Sequence, residues 1–151
     1  MKTLVKNKKY TQGKFNCRNP QKYRGSYPII YRSSLELKAF RWFDNNSNVL
    51  TWGSESVVVP YQGPDGKVHR YFVDLVCEMR RTTGEIQKFL IEIKPYRQTV
   101  PPVVTPRQSA KTKLYESYNY AVNSKKWEAA RQYCENKKMQ FFIITEKHIN
   151  S

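Results

Sequence analysis

The stretch Gln87-Lys88-Phe89-Leu90-Ile91-Glu92-Ile93-Lys94, stopped by Pro95, constrains this chain more than any other segment. Its β-branched and aromatic residues favour a strand, and Pro95 cannot donate to a ladder, so the strand ends directly after the lysine. Strand side chains alternate between faces. Phe89, Ile91 and Ile93 therefore point one way, while Leu90, Glu92 and Lys94 point the other. A carboxylate and an ammonium become neighbours on one face, an arrangement that a helix would not give.

Two preceding segments fix what this strand pairs with. VLTWGSESVVVPY and KVHRYFVDLVCEMR are rich in strand formers, and Gln62-Gly63-Pro64-Asp65-Gly66 between them is a turn, which predicts an antiparallel hairpin. Thr82-Thr83-Gly84-Glu85 turns the chain into the strand that ends at Lys94. Alternation predicts that Phe72, Asp74 and Val76 share a face. Asp74, set among Val73, Leu75 and Val76, is costly to bury unless it is paired or bound to a metal. Adjacent antiparallel strands bring Asp74 and Glu92 onto one face, where two like charges repel and a divalent cation relieves the repulsion.

A third carboxylate fits this reading. Ser33 and Ser34 form an N-cap for a helix over LELKAFRWFD, which Asn45-Asn46 ends. Glu36 precedes Phe40 and Phe43 on its apolar stripe and so faces inward. Three inward acids and a lysine suit metal-assisted phosphodiester cleavage, with carboxylates on Mg²⁺ and Lys94 stabilising developing charge or helping to deprotonate water. Taken singly, each feature has a plainer reading: E-x-K is common at strand ends, Asp74 could pair at an edge, and Glu36 could be a solvated helix residue. Their combination in this order carries the weight. Glu55, at the start of a predicted strand, reads as structural.

The charge names the partner class. Lys and Arg total 27 against 12 acids, a formal net charge of +15, which implies a polyanion such as nucleic acid. Residues 1–35 hold nine of these cations and no acid. Residues 1–32 lack helical or strand periodicity and are expected to form an extended basic arm, with one domain over 33–151. Tyr10, Phe15, Tyr23, Tyr27 and Tyr31 interleave with the charges, so the arm is expected to drape over the fold and offer cations to DNA phosphates. The candidates are Lys6, Lys8, Lys9, Lys14, Arg18, Lys22, Arg24 and Arg32.

The rest of the chain is plainer. TVPPVVTP must be a loop, SAKTKLYESYNYAVN and SKKWEAARQYCENK read as a pair of helices, and MQFFIITE as a last strand. Tyr115, Tyr118, Trp127, Tyr133 and Phe141 are expected in the core. Cys17, Cys77 and Cys134 are odd in number and widely spaced, which argues against disulfides, and the two histidines have no zinc spacing. No apolar run is long enough to span a membrane, and the N-terminus lacks a signal-peptide core, so an intracellular setting is expected.

Glu36 on a first helix, Asp74 on a core strand and Glu92-Ile93-Lys94 on the next resemble the PD-(D/E)xK nuclease superfamily. Val73 stands where that motif has proline. More narrowly, YRSSLELKAFRWFD, WGSESVVVPY, HRYFVDLVCEMR and LIEIKP resemble the head completion proteins of contractile-tailed phages, which are similar in turn to the TnsA endonuclease; NPQKYRG and QFFIITEKHI extend the likeness. The resemblance implies an α/β (α+β), restriction-endonuclease-like αβββαβ core with a mixed sheet. It also implies a Mg²⁺- or Mn²⁺-dependent deoxyribonuclease in which Asp74, Glu92 and the Ile93 carbonyl hold metal, with Glu36 on a second ion or the water. Double-stranded DNA near the packaged end, capsid, portal or neck proteins as partners, and a place in the virion and in the host cytoplasm during assembly are implied likewise. The competing expectation is a catalytically silent DNA-binding protein that plugs or stabilises the filled portal, because fold alone does not confer function. A basic RNA-binding domain fits less well, since it gives no reason for acids at strand positions.

Overall fold

A computed structural model of the chain describes residues 12–149. In chain order it contains β1 (Gly13–Phe15), β2 (Ile29–Tyr31), α1 (Ser34–Asn45), β3 (Val49–Ser54), β4 (Val58–Gln62), β5 (Val68–Phe72), β6 (Leu75–Arg80), β7 (Ile86–Ile93), α2 (Ala110–Asn136) and β8 (Gln140–Ile144). β3, β6, β7 and β8 form a four-stranded sheet in that order. The first two pairings are antiparallel and β7–β8 is parallel, so the sheet is mixed. A parallel neighbour needs a crossover, and α2 supplies it. The expected αβββαβ order is present, with the β4–β5 hairpin inserted between β3 and β6.

The sheet is buried on both faces. Ala39, Phe40 and Phe43 of α1 pack with Trp52, Leu75, Cys77, Ile91 and Ile93 on one side. Trp127, Ala130 and Cys134 of α2 pack with Val59, Tyr71, Val73 and Leu90 on the other. Ile91 and Ile93 thus face α1 while Leu90 faces α2, as the alternation along β7 predicts. The start of α1 also follows the sequence: Ser33 Oγ accepts from Glu36 N at 3.0 Å.

Four expectations change. The predicted long hairpin is broken into two sheets, because both its strands bend at one level, between Ser54 and Val58 and between Phe72 and Leu75. Across this break the faces change phase. Tyr71 and Val73 join the α2 side, whereas Leu75 and Cys77 join the α1 side. Phe72, Asp74 and Val76 therefore do not share one strand face as expected. Second, the predicted helix pair is one continuous helix: Ser124, the expected joint, bonds its hydroxyl to Tyr120 O at 2.8 Å and the helix runs on. Third, Tyr115 and Tyr118 are not core but 68% and 50% exposed, since the first half of α2 packs none of its side chains into the sheet.

The fourth concerns the arm, of which residues 1–11, with Lys6, Lys8 and Lys9, lie outside the described residues. From Gln12 to Tyr31 it has two short strands, paired with each other, where none was expected. Phe15, Tyr23, Ile29 and Ile30 are buried, so this stretch shares the core of the domain. Tyr23 sits edge-on to Trp52 at 4.8 Å, and Arg24 N donates to Trp52 O at 2.8 Å. Gly53 permits this crossing: a Cβ there would lie 3.3 Å from the Arg24 backbone carbonyl.

The arm is clamped to the end of α1 through Asp44, which is 1% exposed. Its carboxylate accepts Arg18 N at 2.7 Å and Asn19 N at 3.3 Å. Lys22 Nζ donates to Phe43 O, Asp44 O and Asn46 O at 2.8–2.9 Å, closing the carbonyls that a helix end leaves open. Burial pushes the Lys22 pKa down, partly offset by Asp44. Replacing Asp44 with alanine leaves buried amides without an acceptor and is expected to cost about 2–4 kcal/mol. Urea unfolding of Asp44→Ala checks this, and a loss below about 0.5 kcal/mol contradicts the clamp.

Candidate active site

The site is built by register. Leu75 lies opposite Ile91 in the antiparallel β6–β7 ladder, so one step beyond the end of β6 brings Asp74 opposite Glu92. Asp74 falls in the break between β5 and β6, where its carbonyl still accepts Glu55 N at 3.1 Å. Glu55 itself takes φ of 50°, the backbone turn that bends the partner strand at the same level. Freed from a regular strand position, the Asp74 side chain reaches across: Oδ2 accepts Ile93 N at 2.8 Å. One oxygen of Asp74 thus lies beside the Glu92–Ile93 peptide.

Glu92 is 4% exposed, on the α2 side of β7. Its Oε2 accepts the indole N–H of Trp127 at 3.1 Å. The hydroxyl of Tyr71, also buried, lies near both acids. Burial, then the charges of Glu92 and Asp74, push its pKa up, yet among the described residues no aligned hydrogen bond reaches the hydroxyl. Two carboxylates close enough to act on one phenol repel each other, and added positive charge favours Glu92, which is almost wholly out of water. The donor set is carboxylate and peptide oxygen, the hard ligands that Mg²⁺ and Mn²⁺ prefer. The residues therefore fit a divalent ion held by Asp74, Glu92 and the Ile93 carbonyl.

Lys94 follows on the same face as Glu92 and is half-buried. Its own N–H donates to Ile144 O at 2.9 Å, so β8 fixes the backbone of the lysine. Among the described residues its ammonium makes no ion pair. Glu36 is placed differently. It begins α1, across β7 from Trp127, and its Oε1 accepts Arg32 N at 3.4 Å. Among the described residues no group of three or more His, Cys, Asp and Glu side chains comes together to hold a metal, so Glu36 is not gathered with Asp74 and Glu92.

Of the predicted DNA-binding cations, Lys14, Arg18 and Arg24 are exposed, Arg32 is half-buried and Lys22 is spent on the α1 carbonyls. Sequence reasoning assigns Trp127 to the core and gives Tyr71 no role. No local pattern pairs Trp127 with a residue 35 positions earlier, and a straight strand puts Tyr71 and Asp74 on opposite faces. Trp127→Phe keeps an aromatic ring but removes the indole donor to Glu92; it is expected to cost about 1–3 kcal/mol by urea unfolding, the range for deleting a hydrogen bond to a charge. Glu92→Gln in metal-free buffer is expected to unfold at a higher temperature than the unaltered chain, because it removes a buried charge from a like-charged pair. A lower midpoint contradicts that electrostatic reading.

Comparison with known proteins agrees with the fold. The chain is 40% identical over 139 residues to the head completion nuclease of Enterobacteria phage T4, covering 89% of this chain and 90% of that protein. Residues 46–146 match the family described as TnsA-like endonuclease N terminal. The matched stretch contains Asp74, Glu92 and Lys94 and begins after Glu36. On both grounds the chain belongs to the TnsA-like endonuclease N-terminal family.

Proposed function

We propose that this chain is a phage head completion nuclease that hydrolyses DNA phosphodiesters at Asp74, Glu92 and Lys94 with the help of divalent metal. The observation that carries the reading is the Asp74–Glu92 pair, fixed opposite each other by the β6–β7 register beside the Ile93 peptide. The cation supplies Lewis-acid stabilisation of phosphate charge and lowers the pKa of water. Asp74 holds its place through the Ile93 amide, and Trp127 fixes the orientation of Glu92. Lys94, at the strand end, meets the negative charge that develops on the phosphate. Glu36 is assigned to orienting water from the start of α1, or to a second ion brought in with substrate; the capping contact to Arg32 N holds it meanwhile.

Duplex DNA is the substrate that the +15 charge favours, and the T4 relative's name, head completion nuclease, supports a role at head completion. Capsid, portal or neck proteins are then the neighbours, and the virion and the host cytoplasm during assembly the setting. No helix among the described residues is long and apolar enough to cross a membrane.

Purified protein is expected to cut duplex DNA with Mg²⁺ or Mn²⁺ and not in chelator. Asp74→Ala and Lys94→Ala are each expected to lose about 100-fold or more of that activity, with circular dichroism unchanged. No cutting of blunt, overhanging or branched DNA with either metal would leave the silent portal-stabilising role in its place. Removing residues 1–11, which carry Lys2, Lys6, Lys8 and Lys9, is expected to flatten the salt dependence of duplex binding by about 0.9 for each phosphate that these lysines neutralise. An unchanged slope assigns those lysines elsewhere. The truncation stops at residue 11 because Phe15, Tyr23 and Ile29 belong to the core.

A further inference from the structure

The segment that leaves Lys94 is tied back at Tyr96, whose N–H donates to Glu146 Oε1 at 2.6 Å. After Pro95 it makes a short 3-10 turn, Tyr96–Gln98, and then the proline loop, which lies along the first half of α2. Between loop and helix runs a groove of about 730 Å³, lined among others by Arg97, Val100, Pro101, Tyr115, Asn119 and Asn123. The α2 residues buried in the sheet core are Trp127, Ala130 and Cys134, so a long stretch of this helix stands clear of the sheet. That stretch carries Tyr115, 68% exposed, and Leu114, 73% exposed; Val103 across the groove is 75% exposed.

The chemistry of the groove is mixed in a particular way. It has an aromatic ring, a guanidinium, side-chain amides and an apolar floor of proline and valine. Arg97 is the cation of the lining, Arg107, Lys111 and Lys113 adjoin the lining residues Gln108 and Thr112 in sequence, and the acid in the lining, Glu116, already accepts Gln108 Nε2 at 3.3 Å. A hydrophobic partner surface gives no reason for a guanidinium in the lining. Paired DNA gives no reason for an open ring, because its bases are stacked on one another. An unpaired nucleotide uses every part: the ring stacks on its base, the amides meet its Watson–Crick edge, and the cations meet its phosphate.

We propose that this groove is a binding site for unpaired DNA leading to or from the cut position, with Tyr115 as its stacking platform. The inference rests on the reading that this chain acts on DNA, and it deepens that reading by naming single-stranded ends or flaps as a preferred substrate form. The groove begins three residues after Lys94, so a strand lying in it is directed to the same end of β7 as Glu92.

The test is fluorescence anisotropy of the full chain in EDTA, with a labelled oligo-dT strand and a labelled blunt duplex measured in parallel. Tyr115→Ala is expected to weaken oligo-dT binding about tenfold, as removal of one stacked base does, while Tyr115→Phe stays within about twofold of the unaltered chain. Duplex affinity is expected to be the same for all three proteins. The proposal is overturned if the unaltered chain does not bind oligo-dT. It is overturned equally if Tyr115→Ala leaves that affinity unchanged, which turns the groove over to a protein partner, or if strand and duplex binding fall together. Because no cutting occurs in EDTA, this outcome is independent of the catalytic reading: a chain that stacks the strand but never cuts keeps the groove and loses the nuclease, and the reverse result is equally visible.

Discussion

The antiparallel register of β6 on β7 is the constraint on which the rest depends. Pairing Leu75 with Ile91 leaves Asp74 and Glu92 facing each other at the first position where the ladder ends. Side chains alternate with period two, so a slip of one residue would send Glu92 into the α1 side, among Phe40, Phe43 and Leu75, and leave a carboxylate in an apolar cluster. The buried apolar faces therefore fix the position of the acids. Leu90 under α2 and Ile91 and Ile93 under α1 hold β7 in one register.

The break in the long hairpin completes the arrangement. A continuous strand through Asp74 would spend its backbone on two neighbours and hold its side chain perpendicular to the sheet. Ending β5 at Phe72 and starting β6 at Leu75 lets Asp74 turn into the Ile93 amide and lets Tyr71 come to the same place as Glu92. The local cost is visible in Glu55, a non-glycine residue at positive φ. The break thereby brings Asp74 beside the buried Glu92, and two like charges so placed favour a divalent ion.

How much of this is legible in the sequence depends on the range of the interaction. Strand β7, its stop at Pro95 and the Ser33 cap follow from periodicity and local turn chemistry, and they place Glu92 and Lys94 on one face without any structure. The phase change at Asp74 is hidden because it arises from two strands bending together, which neither segment signals alone. Tyr115 and Tyr118 mislead for a related reason: aromatic residues at helical spacing look like core until the helix outruns the sheet it packs on. The arm's share in the core is not legible because Phe15, Tyr23 and Ile29 are too far apart to show a period, yet each packs into the core. Trp127 is buried as its aromatic character suggests, but its bond to Glu92 is tertiary and leaves no mark on local sequence.

The central claim is that Asp74 and Glu92 share one divalent ion. Anomalous scattering from crystals soaked in Mn²⁺ tests it most directly. A single strong peak is predicted between the two carboxylates and within bonding distance of the Ile93 carbonyl, absent from crystals of Asp74→Asn. A peak bound elsewhere with this pair empty, or none at Mn²⁺ concentrations that support cutting, would contradict the account.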